Sequence, residues 1–245
     1  MMPNYIKIEI LRMLRNKRYI IFVVGFPLAF YLLYSSLWGD EAGSGGARGS
    51  LILMVSMAAY GALAASMMST SVPWAQERQS GWLRQLQITP LPSWSIIVTK
   101  LITSLLLVLP SLVLVCLAAV LTQGVSLRAW QWAALFPIMW IGTVPFAALG
   151  LIIGSLLSAD SAQPVAMICM LGLSFIGGLL IPVEVMSATV KSVAQVTPSF
   201  SYADMGWHLV AGTAPPLRDV ATILVWAAVL GTAAVFAYRR ATVRA

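Results

Sequence analysis

The chain has 245 residues, 60% of them hydrophobic and only 9% charged, against roughly a quarter charged in an ordinary soluble domain. That composition excludes a water-soluble globule. The formal charge of +7 would suggest a nucleic-acid partner in a soluble protein, but in a membrane protein it is read through topology, and no nucleic-acid partner is expected.

Uncharged runs lie at 19 to 39, 49 to 76, 101 to 127, 129 to 159, 161 to 183 and 220 to 238. Each can cross a bilayer, since about 20 apolar helical residues suffice. The expected fold is therefore one all-α integral membrane domain over 1–245, with six transmembrane helices and no separate soluble domain.

Residues 3 to 18, PNYIKIEILRMLRNKR, put Ile6, Ile10, Met13 and Leu14 on one helical side and Lys7, Arg15 and Arg18 elsewhere. An amphipathic interfacial helix over 1–18 is predicted, the alternative being a positive flank that only orients the first span. The first span, Tyr19 to Trp38, is too long for a signal-peptide core of 7 to 15 residues and is expected to be a retained anchor. A Gly/Ser-rich loop at 39 to 50 leads to the second span, Leu51 to Pro73, and a polar loop at 74–93 leads to the third, Ile96 to Leu121. A short turn from Thr122 to Arg128 precedes the fourth, Trp130 to Leu157, and the fifth runs from Ala162 to Ile181. The segment 183–219 contains Pro198, Pro215 and Pro216 and precedes the sixth span, Val220 to Tyr238. Its stretches 185 to 190 and 192 to 203 are apolar enough to dip into the membrane, which favours short re-entrant helices over extended loop.

With both ends taken as cytoplasmic, the basic residues inside outnumber those outside by eleven to four, and the charge balance is +8 inside and −1 outside. The positive-inside rule thus places both termini and the loop at 74–93 in the cytoplasm of a cell-membrane protein. Trp38, Trp74, Trp94, Trp130 and Trp132 fall at predicted span ends, where indole rings sit at headgroup depth. Cys116 and Cys169 lie in apolar runs and are expected to be buried small hydrophobes, with neither disulfide nor zinc site. Gly142, Gly150 and Gly154, with Ala147 and Ser158, form a small-residue ridge whose default role is packing within the chain and whose sharper alternative is a dimer contact. Met54, Met57, Met67, Met68, Met139, Met167 and Met170, with Phe136, Phe146 and Phe175, suit an adaptable apolar route, though helix packing and lipid contact are the ordinary explanation.

The informative polar segment runs from Trp74 to Pro92 and includes Glu77, Arg78, Gly81, Trp82, Leu83, Leu86, Thr89 and Pro90. Leu83 and Leu86 share one face of a short helix that Pro90 and Pro92 terminate. Such a helix, with an apolar knob and basic flanks, is shaped to enter a partner's groove. At these residues the chain resembles the permease subunits of ABC-2 type exporters, a group that includes antibiotic-resistance and related drug, lipid and polysaccharide efflux permeases. Glu77-Arg78, Gly81 and Thr89-Pro90-Leu91 match the family's first cytoplasmic loop. Gly177-Gly178 before Pro182, then Pro198 and Tyr202, match its external re-entrant segment, with the departure that no second proline closely follows Pro182.

The resemblance implies a coupling helix at about 77 to 89 that docks on a separate ABC ATP-binding subunit. It also implies surrounding membrane lipids, a pair of permeases, identical or not, with the pathway at their interface, and an amphipathic or hydrophobic substrate moved out of the cytoplasm or inner leaflet. The chain contains no Gly-x-x-x-x-Gly-Lys-Ser/Thr loop, so no cofactor is expected on it, and ATP and Mg are assigned to the partner. The span centres carry no charge, which argues against proton or ion coupling. Two alternatives remain. One is a non-transporting immunity or sequestering subunit. The other is an intramembrane serine protease using Ser174 and His208, the sole histidine, which lacks a Gly-x-Ser-x-Gly elbow.

Overall fold

The computed structural model describes residues 11, 15–38, 49–80 and 93–243, and among these the regular structure is entirely helical. The surface helix expected over 1–18 lies almost wholly outside the described residues.

The short α1 (Lys17–Ile20) passes through a π-helical stretch (Ile21–Gly25) into α2 (Phe26–Trp38). Pro27 supplies no N–H to the carbonyl of Val23, and the widened turn sits at that gap. The Ser111 hydroxyl donates to the same carbonyl at 2.9 Å, which ties this helix to its neighbour.

The long α3 (Gly49–Gln79) is the central helix. In its most apolar window 83% of the residues are buried, against 17% in the last helix. Its alanines, glycines and serines carry too little side chain to hold neighbours away, so other helices close on every side. Antiparallel to it runs α4 (Ser93–Gln123). The fourth predicted span is two helices, α5 (Ala129–Ile141) and α6 (Val144–Leu156). The break falls at Gly142-Thr143, just before Pro145, whose missing N–H and ring prevent the helix from continuing. Then come α7 (Ala159–Ile176), a 3-10 turn (Val183–Val185), α8 (Ala188–Ala194), α9 (Pro198–Val210) and α10 (Leu217–Val243).

Among the described residues, five helical stretches are long and apolar enough to cross a membrane: Gly49–Gln79, Ile97–Gln123, Ala129–Leu156, Ala159–Ile176 and Leu217–Tyr238. The apolar part of the first helix, Val23–Leu37, is shorter.

The small-residue ridge packs inside the chain. A Cβ at Gly150 would lie 2.1 Å from Thr70 Oγ1 and 2.7 Å from the Met67 carbonyl oxygen, and one at Gly154 would lie 2.3 Å from that of Ser71. Gly142 performs the same service for α9: a Cβ there would meet the Tyr202 ring at 2.8 Å. Tyr202 is completely buried and its hydroxyl donates to the Met139 carbonyl at 2.5 Å, next to the α5–α6 break. Because Thr143 N–H turns to Trp140 instead, at 3.4 Å, Met139 has no helical donor of its own. Tyr202→Phe therefore leaves a buried carbonyl unpaired, a loss of about 1–3 kcal/mol. Thermal unfolding in mild detergent should show it as a lowered midpoint with unchanged helix content.

The methionines mostly pack: Met54, Met57, Met67, Met68, Met139 and Met170 all belong to the core, whereas Phe175 is exposed. Ser174 donates to the carbonyl of Met170 at 2.7 Å. His208 faces Thr213 at 2.9 Å and Asp204 at 3.6 Å. The pair needed for a serine protease is thus engaged elsewhere, each member with its own neighbours.

Candidate functional site

The C-terminal turn of α3 carries Trp74, Glu77, Arg78 and Gln79 and leads into the loop at 80–92. The helix passes Pro73, where the sequence suggested an end, because the next turn has partners on two other elements. Glu77 and Lys100 of α4 form an ion pair at 2.6 Å, with both side chains almost fully buried. Arg78 reaches the other way and donates to the carbonyls of Ser155 and Leu157, both at 2.6 Å. Ser155 lies in the last turn of α6 and Leu157 is the extended residue that follows it, and neither carbonyl has an N–H partner within the helix, so the guanidinium acts as its C-terminal cap. The Gln79 side-chain oxygen accepts from the Ala159 N–H at 3.1 Å, one of the unfilled donors that open α7.

Beneath them Trp74 is 1% exposed, donates to Ser155 Oγ at 2.8 Å and stacks on Tyr238 of α10 with centroids 5.3 Å apart. This corrects the expectation that Trp74 is a headgroup anchor: its N–H finds a protein partner, and its ring packs in the bundle. Trp130, by contrast, is exposed at the start of α5. Four side chains within six residues, 74–79, thus fasten the mouth of the loop to α4, to the α6–α7 junction and to α10.

Of the residues singled out in the loop, Glu77 and Arg78 are therefore internal clasp members. Gly81, Trp82, Leu83, Leu86, Thr89 and Pro90 lie outside the described residues. Sequence reasoning missed Lys100 as a partner, since it is one of the eleven basic residues counted as inside and was weighed only for orientation. The signal was available, since a lysine within a few residues of an apolar run needs a counter-charge if it faces inward.

The second set, Gly177, Gly178, Pro182, Pro198 and Tyr202, gathers at the opposite end of the bundle. Gly177 caps α7, and a Cβ on it would lie 2.4 Å from Ser199 Oγ. Gly178 adopts φ +77°, a left-handed conformation natural to glycine, and the following Leu179 N–H reaches back to the Ser174 carbonyl at 2.9 Å. Pro182 stands before the 3-10 turn, and Pro198 opens α9, where the Thr197 hydroxyl accepts from the Phe200 N–H at 3.4 Å. α9 is locked in place by Tyr202, by Trp207 donating to Ser56 at 3.1 Å, and by Gln131 donating to the Leu209 carbonyl at 2.8 Å.

Beside them, burial pushes the Asp204 carboxyl up to about 6 from 3.8, and the neighbouring Asp219 adds to the rise. The folded state therefore holds this proton more tightly than the unfolded chain does. Its stabilising share is full below about pH 3.8 and is lost as the pH rises through about 6. Melting curves in detergent should show the wild type gaining stability between neutral and mildly acid pH, and Asp204→Asn should flatten that dependence.

Central burial of α3, peripheral apolar faces and five membrane-length helices define an all-helical, multi-span membrane protein. The family model of ABC-2 family transporter proteins matches residues 40–236. The chain belongs to that family. It is 26% identical over 220 residues to the transport permease YvfS of Bacillus subtilis (strain 168), with 89% of each chain covered. It is 25% identical over 167 residues to the multidrug ABC transporter permease YbhR of Escherichia coli (strain K12), covering 65% of this chain and 42% of that one.

Proposed function

We propose that the chain is the permease subunit of an ATP-driven exporter, moving an amphipathic or hydrophobic compound out of the cytoplasm or inner leaflet. The observation that carries this is the clasp at residues 74–79: a loop that received no load would not need its base fastened to three separate parts of the bundle. The loop at 77–89 is the docking element for a separate ABC ATP-binding subunit, which binds ATP and Mg. On this reading Trp82, Leu83 and Leu86 are the apolar residues that contact the ATPase, within the stretch from Gly81 to Thr89 and Pro90.

The clasp end is cytoplasmic, with both termini on that side, and the end bearing α8 and α9 is external. Continuous helix from Lys17 to Trp38 gives 22 residues, about 33 Å of rise, enough for a sixth span despite its shorter apolar core. Two permeases form the transport route between them. α8 and α9 make up the external re-entrant segment, with Gly177, Gly178, Pro182, Pro198 and Tyr202 setting its fold.

Inverted membrane vesicles containing the permease and its ATPase should accumulate members of a panel of fluorescent amphipathic dyes when ATP is added. Retention of the ATPase with no ATP-dependent accumulation of any dye would contradict amphipathic export and favour the sequestering subunit, which shows no turnover.

A further inference from the structure

We infer that the buried Glu77–Lys100 pair is a positioning device that sets the register of α4 against α3 and delivers the loop's movement to α4, an inference that rests on the docking role of the loop. The reasoning begins from what lies along the α3–α4 seam. Ser66 and Ser69 of α3 and Thr99, Thr103 and Ser104 of α4 are all buried. Their hydroxyls do little to lock the helices together. Ser66 donates to Leu63, Ser69 to Ser66, and Thr70 to Ser66 and Met67, all within α3. The Ser104 hydroxyl crosses to the Ser66 carbonyl at a long 3.4 Å.

Such a seam resists sliding weakly, because the α3 hydroxyls bond within their own helix and the Thr103 hydroxyl has no hydrogen-bond partner among the described residues, which leaves the long Ser104 bond as the hydroxyl contact across it. The 2.6 Å ion pair at the loop end is of another kind. Two charges withdrawn from water and held this close are costly to part. Movement of Glu77 at the foot of the loop therefore carries Lys100 with it, and α4 follows. Arg78 and Gln79 pull on the α6–α7 junction in the same way. The pair is a poor choice for stability alone, since well-packed apolar residues commonly hold a buried site as firmly as an ion pair does. That difference separates a positioning role from a structural one.

The test uses the full permease with its ATPase in vesicles, with Thr122→Cys near the far end of α4 as reporter and Cys169→Ala to leave only buried Cys116. Maleimide labelling is compared with and without ATP and vanadate. The expected result is a several-fold nucleotide-dependent change in labelling rate, normalised to the ATPase bound to each variant, that disappears in Glu77→Leu/Lys100→Leu, although this variant melts near the wild-type temperature. The charge-swapped Glu77→Lys/Lys100→Glu should regain most of the response, which guards against reading a folding defect as lost coupling. A full response in the doubly apolar variant, or none in a folded charge-swapped one, overturns the inference. The docking role then still stands if Leu86→Asp releases the ATPase. If wild type retains no ATPase, docking and inference fall together.

Discussion

Gly150→Leu should prevent the bundle from closing. The smallest added atom, a Cβ, would overlap Thr70 Oγ1 and the Met67 carbonyl oxygen, one side chain and one backbone group of the most buried helix. Backbone cannot rotate aside as a long side chain can, so α6 must move off α3 as a whole. Overpacking of an interior ordinarily costs about 1–3 kcal/mol, and a displaced helix pair lies at or beyond the upper end of that range. Gly172→Leu is the matched control, because a Cβ there meets nothing within 4 Å. Size-exclusion chromatography after detergent extraction should show Gly150→Leu largely aggregated and Gly172→Leu monodisperse.

Arg78→Met is expected to be the most damaging change in the clasp. It removes two 2.6 Å charge-assisted bonds and strands the Ser155 and Leu157 carbonyls at a helix end. Hydrogen bonds to charged groups contribute about 1.5–3 kcal/mol each, so the combined loss reaches several kcal/mol before relaxation. Arg78→Lys should recover only part of it, since an ammonium cannot present the two-pronged fork that spans both carbonyls. Thermal unfolding in detergent would rank wild type above Arg78→Lys and that above Arg78→Met. An Arg78→Lys midpoint equal to that of the wild type would show instead that charge alone holds the α6–α7 junction.

Periodicity and charge made the helical class and the order of the apolar segments legible in the sequence, whereas the internal contacts of Glu77 and Arg78 were not. Hydropathy records how greasy a segment is but not which neighbour it faces. Trp74 thus read as an interfacial ring until its bond to Ser155 and its stacking on Tyr238 placed it inside. Lys100 read as an orienting charge because its partner is 23 positions away across a loop. The break at Gly142-Thr143 was hidden within a continuous apolar run, although Pro145 marked it. Tyr202 was singled out by its place near Pro198, but its reach to Met139, 63 positions earlier, follows only from the fold. The glycine ridge was read correctly in its default role because small residues four apart on one helix nearly always admit another helix.

The central claim is that this permease receives its driving force through the loop that leaves the clasp. Mass spectrometry of proteins co-purifying with the tagged full-length chain in mild detergent, wild type beside Leu86→Asp, tests it most directly. The account predicts an ABC ATP-binding subunit with the wild type and its loss from an equally well-folded Leu86→Asp. An ATPase held equally by both, or absent from both, would contradict it.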